Sequence, residues 1–163
     1  MTRTTTPHSI VVKMANRADG VVRMEGIADE AITPGHLIRY DADEELELHA
    51  DADGVLPIKL VALETLTPDT DQYPTTAKID IPYTANDTIY FANALPGDVY
   101  YMWLAAGETA VRGQSNMVSN GDGTLKVAAV GVGTLTNSIF GIAEEDVDNA
   151  GGGAAVRLRV RAI

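Results

Sequence analysis

Histidine is the residue of this chain whose chemistry is most easily put to use at a site. His49 follows Glu45 and Glu47 and precedes Asp51, and imidazole beside carboxylates is a ligand set that divalent transition metals accept. A strand, however, sends adjacent side chains to opposite faces, and carboxylates are common throughout this acidic chain. The segment is therefore more typical of a solvated strand end, and we predict no metal ligand in it.

Two acidic clusters, Asp41–Glu45 and Asp51–Gly54, raise the question of calcium binding. An EF-hand loop needs oxygen ligands at its first, third and fifth positions, glycine at the sixth and glutamate at the twelfth. Loops that begin at Asp41, His49 or Asp146 each break this pattern. A calcium site of another kind stays open, because Ca²⁺ requires only clustered oxygen atoms. The alternative is that both clusters are polar hairpin ends.

The chain offers no recognisable catalytic nucleophile. It has no cysteine, and none of its serines lies in a Gly-x-Ser-x-Gly turn, the motif that presents the nucleophile of an α/β-hydrolase. The segment Gly131–Thr134 begins like a dinucleotide-binding loop, but Thr136 stands where the third glycine is needed. We therefore predict that the protein is not an enzyme and that it has neither catalytic residues nor a cofactor.

Most of the aromatic side chains fall on two neighbouring candidate strands. They are Tyr90, Phe91, Tyr100, Tyr101 and Trp103. Exposed aromatics would form a platform for sugar rings, whereas strand aromatics more often fill a core, because burial of their large apolar surface dominates core energetics. The core interpretation is favoured, and a carbohydrate-binding β module remains the alternative.

Near the C-terminus, apolar and basic residues alternate with a period of two. The alternating residues are Val156, Arg157, Leu158, Arg159, Val160 and Arg161. A strand here turns its aliphatic side chains to a core and its arginines to the opposite face. One interpretation is an edge strand that charge protects against further pairing. The other is a docking stripe whose arginines bind carboxylates of a neighbouring subunit.

Short apolar stretches separated by turn residues carry these side chains. The stretches are Ile10–Met14, Val21–Met24, His36–Tyr40, Leu46–His49, Ile58–Leu63, Ala77–Ile81, Thr88–Asn93, Val99–Leu104, Leu125–Val130, Ser138–Ile142 and Ala155–Ile163. They are rich in residues that suit strands, and the turns between them contain glycine, proline and asparagine. Only Ile27–Ala31 or Ala143–Val147 has the composition of a short helix. The pattern predicts an all-β fold, a small β-barrel or sandwich.

The length of 163 residues fits one domain. The polar, threonine-rich start, Met1–Ser9, predicts a flexible N-terminal arm. A single β-rich domain over residues 10–163 follows, with a suggested inserted hairpin at 65–94. The net charge of −11 repels nucleic acid and anionic lipid, and no apolar run has the length of a membrane span. We therefore expect neither nucleic acid nor membrane as a partner.

Five segments occur in an order that is typical of one family of structural proteins. They are Ile32–Ile38 (ITPGHLI), Gly97–Tyr100 (GDVY), Asn120–Lys126 (NGDGTLK), Ile139–Ala143 (IFGIA) and Gly152–Val160 (GGAAVRLRV). Over residues 30–163 the series resembles the capsid cement, or head-decoration, proteins of tailed bacteriophages. Such chains carry a Pro-Gly turn into a strand, a Gly-Asp-x-Val-Tyr strand, a Gly-x-Leu hairpin and a terminal alternating strand.

This resemblance implies a β-tulip-like barrel that binds the outer surface of the virion as a homotrimer. There it would stabilise contacts between subunits of the major capsid protein, with the arm ordered against the capsid lattice. The interface residues then expected are Thr4, Thr5, Thr6, Pro7, Arg157, Arg159 and Arg161. The alternatives are another phage structural module, of the tail or baseplate, or a carbohydrate- or calcium-binding β module.

Overall fold

The computed structural model describes residues 9–14, 22–66, 77–129 and 138–163. These residues form short strands, a 3-10 turn at Lys78–Asp80 and no α-helix. The strands are β1 (Val11–Lys13), β2 (Met24–Ile27), β3 (Leu37–Tyr40), β4 (Leu46–Leu48), β5 (Leu60–Ala62), β6 (Thr88–Asn93), β7 (Val99–Leu104), β8 (Thr109–Ala110), β9 (Asn116–Ser119), β10 (Leu125–Val127), β11 (Ile139–Ala143), β12 (Val147–Asp148) and β13 (Val156–Ala162). The predicted all-β class, with a closed barrel, is confirmed.

Five strands close into a first barrel. In spatial order they are β7, β10, β9, β11 and β13, and β13 pairs again with β7. The closing pair is antiparallel and runs from Val156 opposite Leu104 to Arg161 opposite Val99. β1 pairs with the start of β7 from outside this ring. Closure of this kind removes the open edges at which sheets aggregate.

A second sheet has the order β2, β6, β5, β3 and β4, and because one bridge joins its two outer strands we call it the second barrel. A bridge between Ala28, just after β2, and Leu46, the first residue of β4, closes it, and the Asp29 N–H donates to the Leu46 carbonyl at 2.9 Å. Its interior is a separate apolar cluster that includes Ile38, Leu60 and Phe91.

The two barrels share a core, because the second sheet turns its other face toward the first barrel. Leu37, Val61 and Leu63 of the second barrel are fully buried in one cluster with residues of β7, β11 and β13. From β13 this cluster takes Leu158 and Val160, so the aliphatic face predicted for the last strand is confirmed. Burial of this shared apolar face stabilises the contact between the barrels.

The sequence predicted long, regular strands best. The bounds of β6 and β7 are those expected, and β13 lies within its predicted stretch. The two-residue strands β8 and β12 and the strand β9 were missed. β2 begins at the end of its predicted stretch and continues through Gly26, where a Cβ would lie 2.6 Å from the Leu46 side chain. Gly26 therefore permits a close approach that its strand position did not reveal.

Three predictions of local structure were wrong. Ala77–Ile81 is not a strand but holds the 3-10 turn, which buries Ile79. The composition of Ile27–Ala31 and Ala143–Val147 suggested a short helix, but the first contains the closing bridge and the second ends β11 and begins β12. Tertiary pairing overrides the weak helix propensity of Ala and Glu in both places.

The segment suggested as an inserted hairpin contributes to the second barrel. Its last strand, β6, lies between β2 and β5, so this part is integral to the sheet. Residues 67–76 of the segment and residues 1–8 of the predicted arm lie outside the described residues. The division into an arm and one domain stays a prediction.

Candidate interaction surfaces

The predicted arginine stripe lies on a strand that is paired on both sides. β13 has β11 along one edge and β7 along the other. The interpretation as a charge-protected edge strand was therefore wrong, because the strand has no open edge within the first barrel. The three arginines do share the outward face, as the alternation predicted, and each has an acidic partner on the same molecule.

Arg157 is the buried member of the stripe. Its guanidinium lies over the Trp103 ring, 4.1 Å from the ring centre, and its side chain is 10% exposed. One terminal nitrogen donates to the Pro34 carbonyl at 2.9 Å, and the other donates to the Ile79 carbonyl and to Asp80. Burial lowers the pKa of Arg157 and Asp80 raises it, but arginine keeps its charge in proteins. These contacts make Arg157 a structural residue.

Arg159 and Arg161 are the accessible members of the stripe, with side chains 40% and 52% exposed. Arg159 pairs with Glu145 at 3.0 Å, and Arg161 pairs with Glu144. Ion pairs of this exposure contribute only about 0–1 kcal/mol. A carboxylate from another subunit can therefore replace either partner at little cost, and the predicted docking role of these residues stays a prediction.

The predicted arm ends at a buried carboxylate. Glu64 accepts hydrogen bonds from Ser9 Oγ at 3.0 Å, from the Ile10 main-chain N–H at 3.1 Å and from Arg23 at 2.8 Å. Ile10 itself is fully buried. We call this group, Ser9, Ile10, Arg23 and Glu64, the tether. Burial raises the pKa of Glu64, but the hydrogen bonds outweigh it and leave this pKa below its usual value. The remaining arm residues, Thr4–Pro7 among them, lie outside the described residues.

The barrels meet at a region that we call the joint, formed by residues 34–37 and 49–53 of the second barrel and residues 103, 119–123 and 157 of the first. Main-chain hydrogen bonds cross it: Leu37 N–H to Gly123 O at 2.8 Å, Gly123 N–H to His49 O at 3.3 Å and Asp53 N–H to Ser119 O at 2.9 Å. The indole N–H of Trp103 also donates to Pro34 O at 3.0 Å.

Two glycines let the backbones approach this closely. Gly35 has φ +91°, and a Cβ there would lie 2.6 Å from the Arg157 guanidinium. Gly123 has φ +76°, and a Cβ there would lie 2.6 Å from the Leu48 side chain. Both positions therefore need the left-handed backbone and the missing side chain that glycine provides.

Two histidines, His36 and His49, belong to the joint. His49 is 4% exposed, and its Nδ1 lies 2.9 Å from Ser119 Oγ across the joint. Its neighbours Glu47 and Asp51 pair instead with Arg39, at 2.7 Å and 2.6 Å. His36 lies beside Trp103, with 6.0 Å between ring centres. The carboxylates that flank His49 in sequence thus do not converge on its ring.

One group of three carboxylates comes together in the described part of the chain, and the sequence foresaw it only in part. Asp29, Asp41 and Glu45 have oxygen atoms within 4.8 Å of one another. Asp41 and Glu45 belong to a predicted acidic cluster, whereas Asp29 follows β2 and reaches them through the bridge that closes the second barrel. Asp41 Oδ1 accepts the N–H groups of Asp43 and Glu45, so it also stabilises the turn, as polar hairpin ends do.

The aromatic side chains fill the core more than they cover a surface. Phe91 and Tyr100 are 1% exposed, so the prediction of core aromatics is confirmed for them. Tyr90 and Tyr101 are half-buried against the shared core, and Trp103 carries Arg157 on its ring. No pair of these rings forms an exposed platform among the described residues.

The described surface also has an apolar groove. The groove is open, has a volume of about 350 Å³ and is lined by Val22, Met24, Asn93 and Leu95. It lies where β2 begins and β6 ends. Val22 and Leu95 are among the exposed large apolar side chains. Among the described residues no helix is long and apolar enough to span a bilayer.

Comparison with known proteins finds similar chains among the solved structures. No protein-family model and no curated protein matches the chain. The chain is similar to the crystal structure of the N base of head fibre gp8.5 in bacteriophage phi29, with 18% identity and a TM-score of 0.49. The alignment covers 88% of this chain and 98% of that chain.

Proposed function

We propose that this protein is a structural component of a bacteriophage virion that binds the outer surface of the capsid as a homotrimer. Its partner is the major capsid protein, and its effect is to stabilise contacts between capsid subunits. The proposal follows the resemblance of residues 30–163 to head-decoration proteins. The proposed function requires a rigid β structure, a segment that reaches a neighbouring subunit and a face that binds carboxylates.

The observation that carries the proposal is the tether. Three hydrogen bonds to the buried Glu64 hold Ser9, Ile10 and Arg23 in one place. They fix the position of Ser9 on the barrels, so a partner that binds the predicted arm does not have to order its point of attachment. Binding that orders fewer residues has a lower entropic cost.

The accessible part of the arginine stripe supports the same function. Arg159 and Arg161 lie on one outward face, each paired weakly with an acidic residue of its own chain. Exchange of those partners for carboxylates of a capsid subunit adds bidentate contacts. Many copies on one lattice then turn weak single contacts into stable binding.

The test is binding of the purified protein to expanded capsids from its source, with the solution mass measured by light scattering. We expect saturable binding, higher heat resistance of the capsids and a trimeric mass. Deletion of residues 2–8 leaves the tether intact and should weaken binding by at least about tenfold. The double variant R159E/R161E should weaken capsid binding to a similar degree. The control Lys126→Glu breaks an ion pair with Asp53 outside the stripe and should leave capsid binding unchanged.

The outcomes separate the parts of the proposal. No saturable binding to capsids by the folded protein overturns the capsid function. A monomeric mass with saturable binding keeps that function and overturns the homotrimer in solution. Labelling that places the protein on tails, observed by electron microscopy, moves it to the tail or baseplate alternative. A response on a glycan array or in a calcium titration, without capsid binding, moves it to the binding-module alternative.

A further inference from the structure

In both histidines of the joint, Nδ1 lies within hydrogen-bond distance of a group that can donate to it. His36 Nδ1 accepts the main-chain N–H of Thr33 at 3.4 Å, which requires Nδ1 to be without a proton. His49 Nδ1 lies 2.9 Å from Ser119 Oγ. Because Ser119 Oγ already accepts the Gly121 N–H at 3.2 Å, its own hydrogen is available for His49. In this arrangement both rings are neutral, with the proton on Nε2.

These two acceptors support the main-chain contacts between the barrels. His36 lies between Gly35, which fits under Arg157, and Leu37, which donates to Gly123. His49 accepts the Gly123 N–H through its carbonyl while its ring holds the Ser119 hydroxyl. Ser119 in turn accepts the Asp53 N–H through its carbonyl. A change at the His49 ring thus acts on a hydrogen bond that joins the barrels, and a change at the His36 ring acts on the turn that carries Gly35 and Leu37.

We propose that the joint is an acid-sensitive device: proton uptake by His36 and His49 removes both acceptors and loosens the first barrel from the second. An imidazolium at His36 loses the Thr33 hydrogen bond. An imidazolium at His49 donates to Ser119 Oγ, so the Ser119 hydroxyl hydrogen loses the acceptor that the neutral ring provides. This inference concerns the isolated chain and does not depend on capsid binding.

The charges around each ring set the pH range. Burial and Arg157 of β13 lower the pKa of His36 to about 4, against a smaller opposing effect of Asp122 in the turn before β10. Burial and Arg39 of β3 lower the pKa of His49, while Asp51 and Glu47 raise it. Since an unfolded histidine has its pKa near 6.5, stability falls as the pH drops below about 6.5. For His36 the loss is complete below about pH 4.

The single tryptophan makes the joint directly observable. Trp103 touches His36, Arg157 and Pro34, so its fluorescence reports opening of the joint. We expect its emission to change between pH 6.5 and pH 4. Over this range, protection of the Leu37, Gly123 and Asp53 amides from hydrogen exchange, corrected for intrinsic rates, should fall by at least about tenfold. Amides within the first barrel, such as that of Ala143, should keep their protection.

Variants test whether the histidines are responsible. Asparagine places an acceptor oxygen near the position of Nδ1 and does not titrate, so the double variant H36N/H49N should keep its Trp103 signal constant down to about pH 4.5. His8→Asn, outside the described residues, is the matched control and should behave as the unchanged protein. An unshifted transition in the double variant, or no transition above pH 4 in the unchanged protein, overturns the proposal.

A second measurement covers the case in which the double variant does not fold. ¹⁵N NMR of the unchanged protein at pH 7 should show both rings as the Nε2–H tautomer. Their titration midpoints should coincide with the change in Trp103 emission. Midpoints that differ from the fluorescence change, or Nδ1–H tautomers at both rings, would contradict the proposal.

Discussion

A single carboxylate, Glu64, holds two segments that are far from it in sequence, Ser9–Ile10 and Arg23. It receives the Ser9 hydroxyl, the Ile10 N–H and the Arg23 guanidinium within 3.1 Å. Hydrogen bonds to a charged group contribute about 1.5–3 kcal/mol. We therefore expect Glu64→Gln to lower the free energy of unfolding at pH 7 by about 2 kcal/mol, measured by urea denaturation.

The pH dependence of this effect has a definite sign. Because the pKa of Glu64 is lowered in the folded state, its contribution is present above the unfolded pKa, near 4.3. It is lost as the pH falls through the folded pKa. The difference between the variant and the unchanged protein should therefore shrink below about pH 4. Glu25→Gln, at an exposed position of β2, is the control; an equal loss in this variant would contradict the tether.

Arg157 and Arg161 share a strand and a face but differ in burial, which makes them a matched pair. Arg157→Lys keeps the charge and removes the planar fork that binds Pro34 O and Ile79 O while it stacks on Trp103. We expect this change to cost about 2–3 kcal/mol in urea denaturation. Arg161→Lys, at the exposed position, should cost less than about 0.5 kcal/mol. Equal effects would show that burial of Arg157 contributes nothing.

At the scale of elements, alternation predicted faces and did not predict neighbours. The period of two in β13 placed Leu158 and Val160 in the core correctly. β13 is not an edge strand because it pairs with both β7 and β11. The alternation of its residues contains no information about these partners. The same limit applies to Arg157, whose partner Pro34 is 123 residues away. Such contacts depend on topology, and local pattern carries little information about it.

The turn before β10 gives a prediction for an element of the joint. Gly123→Ala combines a left-handed backbone, φ +76°, with a Cβ that crowds Leu48 and the Leu37 carbonyl. Gly113→Ala has a similar φ of +70° and open space around its Cβ. The backbone cost of about 1–2 kcal/mol is common to both, and overpacking adds about 1–3 kcal/mol at Gly123 alone. Thermal denaturation should show the larger loss for Gly123→Ala; equal losses would mean that the joint tolerates a side chain there.

At the scale of the whole molecule, composition predicted the all-β class of the fold but did not predict that the strands divide into two barrels. The density of turn residues and the branched apolar stretches indicated an all-β chain with a barrel, as found. The strands form two barrels with a shared core because the second sheet has apolar side chains on both of its faces. Leu37 and Ile38 are adjacent and both buried, one toward each core. A strand buried on both faces shows no alternation, so a sequence pattern cannot assign its two sides.

The shared core predicts that the barrels unfold together at neutral pH. Leu63 comes from the second barrel and is fully buried in the cluster that lines the first. Leu63→Ala should therefore lower stability by about 2–5 kcal/mol and shift the Trp103 fluorescence and far-UV circular dichroism transitions equally. Leu66→Ala, at a side chain that is 48% exposed, should lower the free energy of unfolding by less than about 0.5 kcal/mol. Coincident transitions are the mark of two-state unfolding; a circular dichroism transition that separates from that of Trp103 at pH 7 would mean that each barrel is stable by itself and the joint only docks them.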